Sequence, residues 1–418
     1  MNILYISQYF PPEMGAPSAR ASELARHWAD AGHDVSVLTG FPNHPTGFVP
    51  PEWRSRLRRL TYRERVGNVK VYRTWLWALP NRKAHERMRN YASFCISAAL
   101  RGMAIPQPDV IIASSPQLLV GLAGWWLAWT RQVPFIFEVR DLWPESLSAV
   151  GVGGEDSLLH QTLAGIAGFL YERADRIVVV TPAFKDHLIA HWRIPADKID
   201  IVENGVETDL FQPADCSIRR ALRYDLGAEQ RFLVCYVGTM GMAHGLETLL
   251  DAAVKLQSQN PSVLFLLIGE GAEKERIKSL AESRQLTNVC FLDQQPREKI
   301  PAFISAADAC LVLLKKTDVF KTVIPTKMLE FMSCARPVIL GVEGQAQHLV
   351  EDAGAGLVIR PENPDDLVSA IQKLQQNGDQ ARMMGEKGRA YITKNLSRAS
   401  TAQKYIAVLE RIQSARKK

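Results

Sequence analysis

The segment Pro325-Thr326-Lys327-Met328-Leu329-Glu330-Phe331 runs on through Arg336-Pro337 into the apolar stretch Val338-Ile339-Leu340. A proline suits the start of a helix, and the helix must end before Pro337 because proline disfavours the α conformation in the residue ahead of it. One helix and one buried strand follow from twelve residues. A helix start carries unpaired N–H groups and a partial positive charge, to which Lys327 adds a full one. Glu330 lies about one turn further on, where a carboxylate can accept from ribose hydroxyls. The segment has the chemistry to grip both ends of a nucleoside diphosphate, although an ordinary αβ unit with a lysine in its first turn has the same pattern.

Outward from this unit, short apolar runs alternate with helical segments. In the first half the runs are 3–6, 35–38, 69–72, 110–113, 135–139 and 177–180. In the second they are 233–237, 263–268, 289–292, 309–313, 338–340 and 357–359. Continuous apolar strands alternating with helices predict α/β architecture with parallel sheets covered on both faces, hence two doubly wound domains. The expected division is 1–210, 211–395 and a terminal segment 396–418, with unbroken helix after Gly388.

Ligands of such sheets bind outside the carboxyl ends of the strands, at the switch point. That places Gly15 and Ala16 after the first strand, and Arg140 and Asp141 after the fifth. In the second half it places Thr239, Gly241 and His244 after the first strand, and Gly269 and Gly271 after the second. With Lys327, Met328, Leu329 and Glu330 these are the candidate site residues. Lys274 stands where a dinucleotide fingerprint needs its third glycine, and no Gly-x-x-x-x-Gly-Lys-Ser/Thr phosphate loop occurs.

Six cysteines lie far apart with no CxxC pair, which fits free thiols in a reducing compartment better than metal ligands or disulfides. No leader pattern is read at the start, so a cytoplasmic protein is expected. Residues 110–130 carry no charge, but Ser114-Ser115-Pro116-Gln117 reads as a turn between a strand and a buried helix over 117–130, not a membrane span. The net charge of +6 hides an excess of +10 in residues 51–101, interleaved with Trp53, Tyr62, Tyr72, Trp75, Trp77 and Tyr91. Either this is a solvated helix face or it adsorbs to anionic lipid. Nucleic acid is not an expected partner, since no recognised binding module accompanies the patch.

As an ordered set the motifs are specific. They run from Gly15-Ala16 through Val139-Arg140-Asp141-Leu142-Trp143-Pro144 and Asn204-Gly205-Val206-Glu207 to Val237-Gly238 with Gly245-Leu246-Glu247. Ile268-Gly269-Glu270-Gly271 and Leu329-Glu330-Phe331 with Arg336-Pro337-Val338 complete them. In this order the chain resembles the family 4 glycosyltransferases of the GT-B architecture over nearly its whole length. Val139 to Ser146 with the Phe41-Pro42-Asn43-His44-Pro45 loop is most similar to the WbuB-type L-fucosamine transferases of bacterial O-antigen and capsule clusters.

The resemblance implies two Rossmann-like domains facing a central cleft. It implies a nucleoside-diphosphate sugar donor, UDP-linked, carrying N-acetyl-L-fucosamine or a related amino or deoxy sugar. The acceptor would be a lipid-linked glycan, met peripherally at the inner membrane face. Transfer would retain anomeric configuration without metal or other cofactor, the departing diphosphate taking the acceptor's proton, with Asp141, Arg140 and Lys327 in catalytic roles. Four positions depart from the pattern. Thr322 replaces the first of two glutamates, Thr239 and His244 replace an arginine and a lysine at the diphosphate, and Arg140 replaces a histidine. Lys327, with Arg140 or Arg20, would then supply the positive charge, and His244 could donate if protonated or as a neutral N–H. A nucleotide-sugar 2-epimerase and a catalytically silent sugar-nucleotide-binding module are the alternatives.

Overall fold

The computed structural model describes residues 1–44, 46–79, 84–145 and 157–416, so Pro45 and Ser146 of the motifs quoted above lie outside the described residues. The chain divides into one unit of residues 1–204 with 399–418, and another of 205–398. The expected boundary at 210 thus moves to 204, and the last segment of the first unit begins at 399.

The first unit is an eight-stranded sheet in the order β3-β4-β2-β1-β5-β6-β7-β8. Its strands are β1 (Asn2–Ser7), β2 (Asp34–Gly40), β3 (Thr61–Val66), β4 (Val69–Thr74), β5 (Val110–Ser114), β6 (Phe135–Val139), β7 (Arg176–Val179) and β8 (Ile199–Ile201). All pairs are parallel except the β3–β4 hairpin. The apolar runs found their strands, but β3 and β8 are additions. Both are sheet edges, where Arg63 and Arg65 of β3 face water and no apolar run is needed. Residues 110–131 form β5 and the helix Val120–Arg131, and no helix among the described residues is long and apolar enough to cross a membrane.

The second unit is a parallel six-stranded sheet in the order β11-β10-β9-β12-β13-β14. Its strands are β9 (Phe232–Val237), β10 (Val263–Ile268), β11 (Val289–Leu292), β12 (Ala309–Leu313), β13 (Val338–Gly341) and β14 (Gly356–Val358). The chain leaves β9 in one direction to build β10 and β11, then returns to the other side for β12, so the switch point lies between β9 and β12. Met328, Leu329, Phe331 and Met332 of helix Thr326–Ser333 are fully buried against this sheet with Leu233, Cys235 and Val338.

The expected single terminal helix is two, Gly378–Asn395 and Arg398–Arg416, broken at Leu396-Ser397 where Ser397 bridges to Val206. The backbone N–H of Val206 donates to Leu396 at 3.0 Å, which takes that carbonyl out of helical pairing. Beyond the break, Tyr405, Val408 and Leu409 bury against Trp28, Tyr5 and Val37 in the first core.

Candidate functional site

In the second unit the switch point gathers Tyr236, Thr239, His244 and Lys327. Pro325 caps helix Thr326–Ser333, so Lys327 sits in its first turn at the mouth of the sheet. The Lys327 ammonium donates to the Tyr236 hydroxyl at 2.9 Å and lies 4.0 Å from that ring's centroid. Tyr236 in turn donates to the Thr239 carbonyl at 2.6 Å. Gly238 lies directly beneath, where a Cβ would stand 2.9 Å from Lys327 Nζ. The loop after β10 clamps this floor. The Gly238 N–H donates to Ile268 and the Met240 N–H to Glu270, at 2.9 and 2.8 Å. Only glycine fits at 269, because a Cβ there would meet the Gly238 carbonyl at 2.1 Å.

Burial pushes the Lys327 ammonium down to about 7, with Glu330 pulling the other way. Burial, and then the Lys327 charge, hold the His244 imidazole down at about 3, so this ring is neutral at working pH. Its Nδ1 lies 3.4 Å from the Leu313 carbonyl, a contact in which the nitrogen must donate. Nε2 is then an acceptor, suited to a hydroxyl rather than to a phosphate oxygen. The expectation that His244 donates to the diphosphate changes accordingly.

Glu330, one turn beyond Lys327, accepts from Arg297 Nη1 at 3.2 Å, and the Arg297 guanidinium lies 4.9 Å from the Phe211 ring centroid. Met328 and Leu329 turn their side chains into the core, leaving only their main chain to meet a ligand. Gly241 accepts from the His244 N–H at 3.0 Å, and Gly271 abuts Met240, so both shape the loops. Thr322 donates to Val319 within its own turn at 2.7 Å. Tyr236 and Arg297 are the residues that sequence reading missed. Tyr236 is a phenol inside an apolar strand directly before a glycine loop, which was a usable signal, whereas nothing near Arg297 marks it.

In the first unit, Gly15 caps helix Ala16–Asp30 at φ +128°, and Arg140 Nη2 donates to the Ala16 carbonyl at 3.3 Å. The Arg140 N–H donates to Ser115 Oγ at 2.7 Å, so Gly15, Ala16, Arg140 and the adjoining Asp141 meet at the carboxyl ends of β1, β5 and β6. Arg20 does not supply the missing charge. It is fully buried, paired with Glu138 at 2.8 Å, and donates to the carbonyls of Val202 and Glu203 at 3.1 and 3.0 Å. Burial alone would raise the Glu138 carboxyl, but Arg20 and Arg140 hold it below its usual range.

The Phe41-Pro42-Asn43-His44 stretch is anchored beside these residues. Buried Glu13 accepts from the N–H groups of Asn43, His44 and Phe10 at 2.8, 2.9 and 3.3 Å. Asn90 links Gln8 to the Asn43 side chain. Desolvation raises the Glu13 carboxyl to about 7 against the pull of those three donors. Among the described residues no group of three His, Cys, Asp or Glu side chains could hold a metal ion.

Residues 15–205 match the family described as Glycosyl transferase 4-like domain, and residues 219–391 match Glycosyl transferases group 1. The Escherichia coli K12 protein named for colanic acid biosynthesis, glycosyl transferase WcaI, is 23% identical over 384 residues, covering 89% of this chain and 92% of its own. The Anabaena Alr3699/HepE structure in complex with UDP superposes with a TM-score of 0.73 at 18% identity, covering 98% of this chain and all of that one. Sucrose-phosphate synthase from Thermosynechococcus elongatus superposes with a TM-score of 0.78 at 22% identity over 99% of each chain. Two matched families that together span most of the chain, on two doubly wound sheets, establish that this protein belongs to the family 4 glycosyltransferases of the GT-B fold.

Proposed function

We propose that this protein transfers a sugar from a UDP-linked donor to a lipid-linked glycan acceptor in bacterial surface-polysaccharide synthesis, with retention and without a metal. The observation that carries the donor reading is Lys327 and Glu330 on one helix whose start opens at the β9–β12 switch point. Charge grows on the diphosphate as the glycosidic bond breaks. A helix N-terminus and a desolvated lysine are preorganised to stabilise that charge, and the departing diphosphate can take the acceptor's proton. The UDP held by the Anabaena structure and the colanic acid naming of the E. coli relative support the donor and the product class. The sugar reading, N-acetyl-L-fucosamine or a related amino or deoxy sugar, rests on the sequence stretches 41–45 and 139–146. An anionic membrane is the proposed meeting place, on the strength of exposed Arg58, Arg59 and Arg65 in the first unit.

Incubation with a panel of UDP-, GDP- and dTDP-sugars, with and without a lipid-linked glycan, tests the reading. The expected result is a UDP-sugar consumed only slowly until acceptor is added, with product of the donor's anomeric configuration by NMR and undiminished by EDTA. Conversion of the donor to its 2-epimer without acceptor would favour the epimerase, and no turnover of any donor would favour the silent module.

A further inference from the structure

The second unit holds a cavity of about 960 Å³ at the amino-terminal ends of β9, β12 and β13, the end of the sheet opposite Tyr236 and Lys327. Phe232, Pro337 and Leu374 supply apolar wall, and Arg219, Arg336 and Arg389 supply charge. The carboxylates at the rim are already engaged. Asp308 accepts from Arg223 at 3.0 Å and from the Leu233 N–H at 2.8 Å, and Glu386 pairs with Arg382 at 3.7 Å. Arg389 spends one nitrogen on the Ser333 carbonyl at 2.6 Å. The Nε groups of Arg219 and Arg336 are buried with no hydrogen-bond partner among the described residues. Burial, and then the nearby Arg219 charge, hold the Arg336 guanidinium below its ordinary range.

Two guanidinium groups with buried, unused donors, offset only in part by Asp308, which already accepts from Arg223 and Leu233, destabilise the ligand-free unit. A tetrahedral oxyanion satisfies both, because each fork can donate two parallel N–H bonds. A phosphate monoester, with a charge near −2, balances two cations where a carboxylate would balance one. The cavity lies within the range of small-molecule sites, roughly 300–1,000 Å³, which leaves room for a carbon skeleton beside the phosphate. We infer that this cavity is a second ligand site, distinct from the donor site, taking a phosphate-bearing small molecule whose phosphate lies between Arg219 and Arg336 and whose skeleton packs on Phe232, Pro337 and Leu374.

Thermal unfolding of the full chain with increasing glycerol 3-phosphate, at constant ionic strength held with chloride, tests the site, since a ligand of the native state raises the melting temperature. The expected result is a saturable rise in the wild type, kept in Lys327→Ala, and requiring at least about tenfold more ligand in Arg219→Met and in Arg336→Met. Persistence in Lys327→Ala separates this site from the donor reading, which stands or falls on UDP binding. If Arg336→Met does not fold, Arg219→Met, on the more open helix Cys216–Asp225, carries the test alone. No saturable rise in the wild type, or a rise of equal midpoint in the arginine variants, overturns the inference.

Discussion

The Lys327 ammonium and the Tyr236 hydroxyl meet at 2.9 Å, tying the first turn of helix Thr326–Ser333 to the carboxyl end of strand β9. The contact gives the lysine one fixed direction and removes much of its water. It also spends one of three ammonium donors and leaves two for a ligand.

That environment predicts a proton uptake. Lys327 titrates near 7 in the folded chain against roughly 10.4 for a free lysine, so only part of the population is charged at neutral pH. A diphosphate favours the charged form. UDP binding should therefore draw in a proton at pH 8, and affinity should fall as pH rises from about 7 to 9. Calorimetry in two buffers of different ionisation enthalpy reads the uptake, and equal heats would mean that Lys327 does not face the diphosphate. For folding, the unfolded chain binds the extra proton between the two values, so this group's contribution to stability rises with pH across that window.

Tyr236→Phe keeps the ring and removes the hydroxyl that bridges Lys327 to the Thr239 carbonyl. Stability should fall by about 1–3 kcal/mol, the cost of leaving polar groups unsatisfied. Urea unfolding measures it, and a change below about 0.5 kcal/mol would mark the bridge as dispensable.

Glu330→Ala should weaken UDP binding by roughly ten- to a hundredfold if the carboxylate accepts from the ribose. Arg297→Ala tests the partner that orients it and should cost less, with the double variant no worse than Glu330→Ala alone. Additive losses by calorimetry would show that Arg297 acts on the ligand separately.

Glu138→Gln leaves Arg20 as a buried charge without its counter-ion and should cost about 3–5 kcal/mol in unfolding experiments. Because the Glu138 carboxyl is held below its usual range, its stabilisation is present above the unfolded pKa and lost as pH falls through the folded one. The variant should accordingly lose part of the wild type's acid sensitivity. An unchanged acid-unfolding profile would contradict this.

Vesicle sedimentation tests the basic face. Arg56 stacks on Trp53 and Tyr62 at 4.6 and 4.9 Å, so its loss would disturb packing, while Arg58, Arg59 and Arg65 are exposed. Changing those three to Gln should cut binding to anionic vesicles at low salt and leave UDP affinity intact, since surface attraction is screened within about 10 Å at 0.1 M salt. Equal binding to neutral and anionic vesicles would remove the electrostatic account.

Twelve of the strands were legible in the amino-acid order because a parallel strand buried on both faces must be apolar throughout, and Val263–Ile268 has no other use. Helix Thr326–Ser333 was legible because Pro325 and Pro337 bound it from either side. Strand β3 was not, since an edge strand can turn polar side chains such as Arg63 and Arg65 to water, and the break at Leu396-Ser397 was not, since it answers to Val206 far away in the chain. The partners of the site residues were decided only on folding. Lys327 reaches Tyr236 across 91 positions, Glu138 reaches Arg20 across 118, and Arg297 reaches Glu330 across 33. Local sequence sets which backbone conformation a segment prefers and which face it buries. The partner of a charged side chain depends on which strand ends the crossovers bring side by side, and that is a property of the packed sheet rather than of any segment within it.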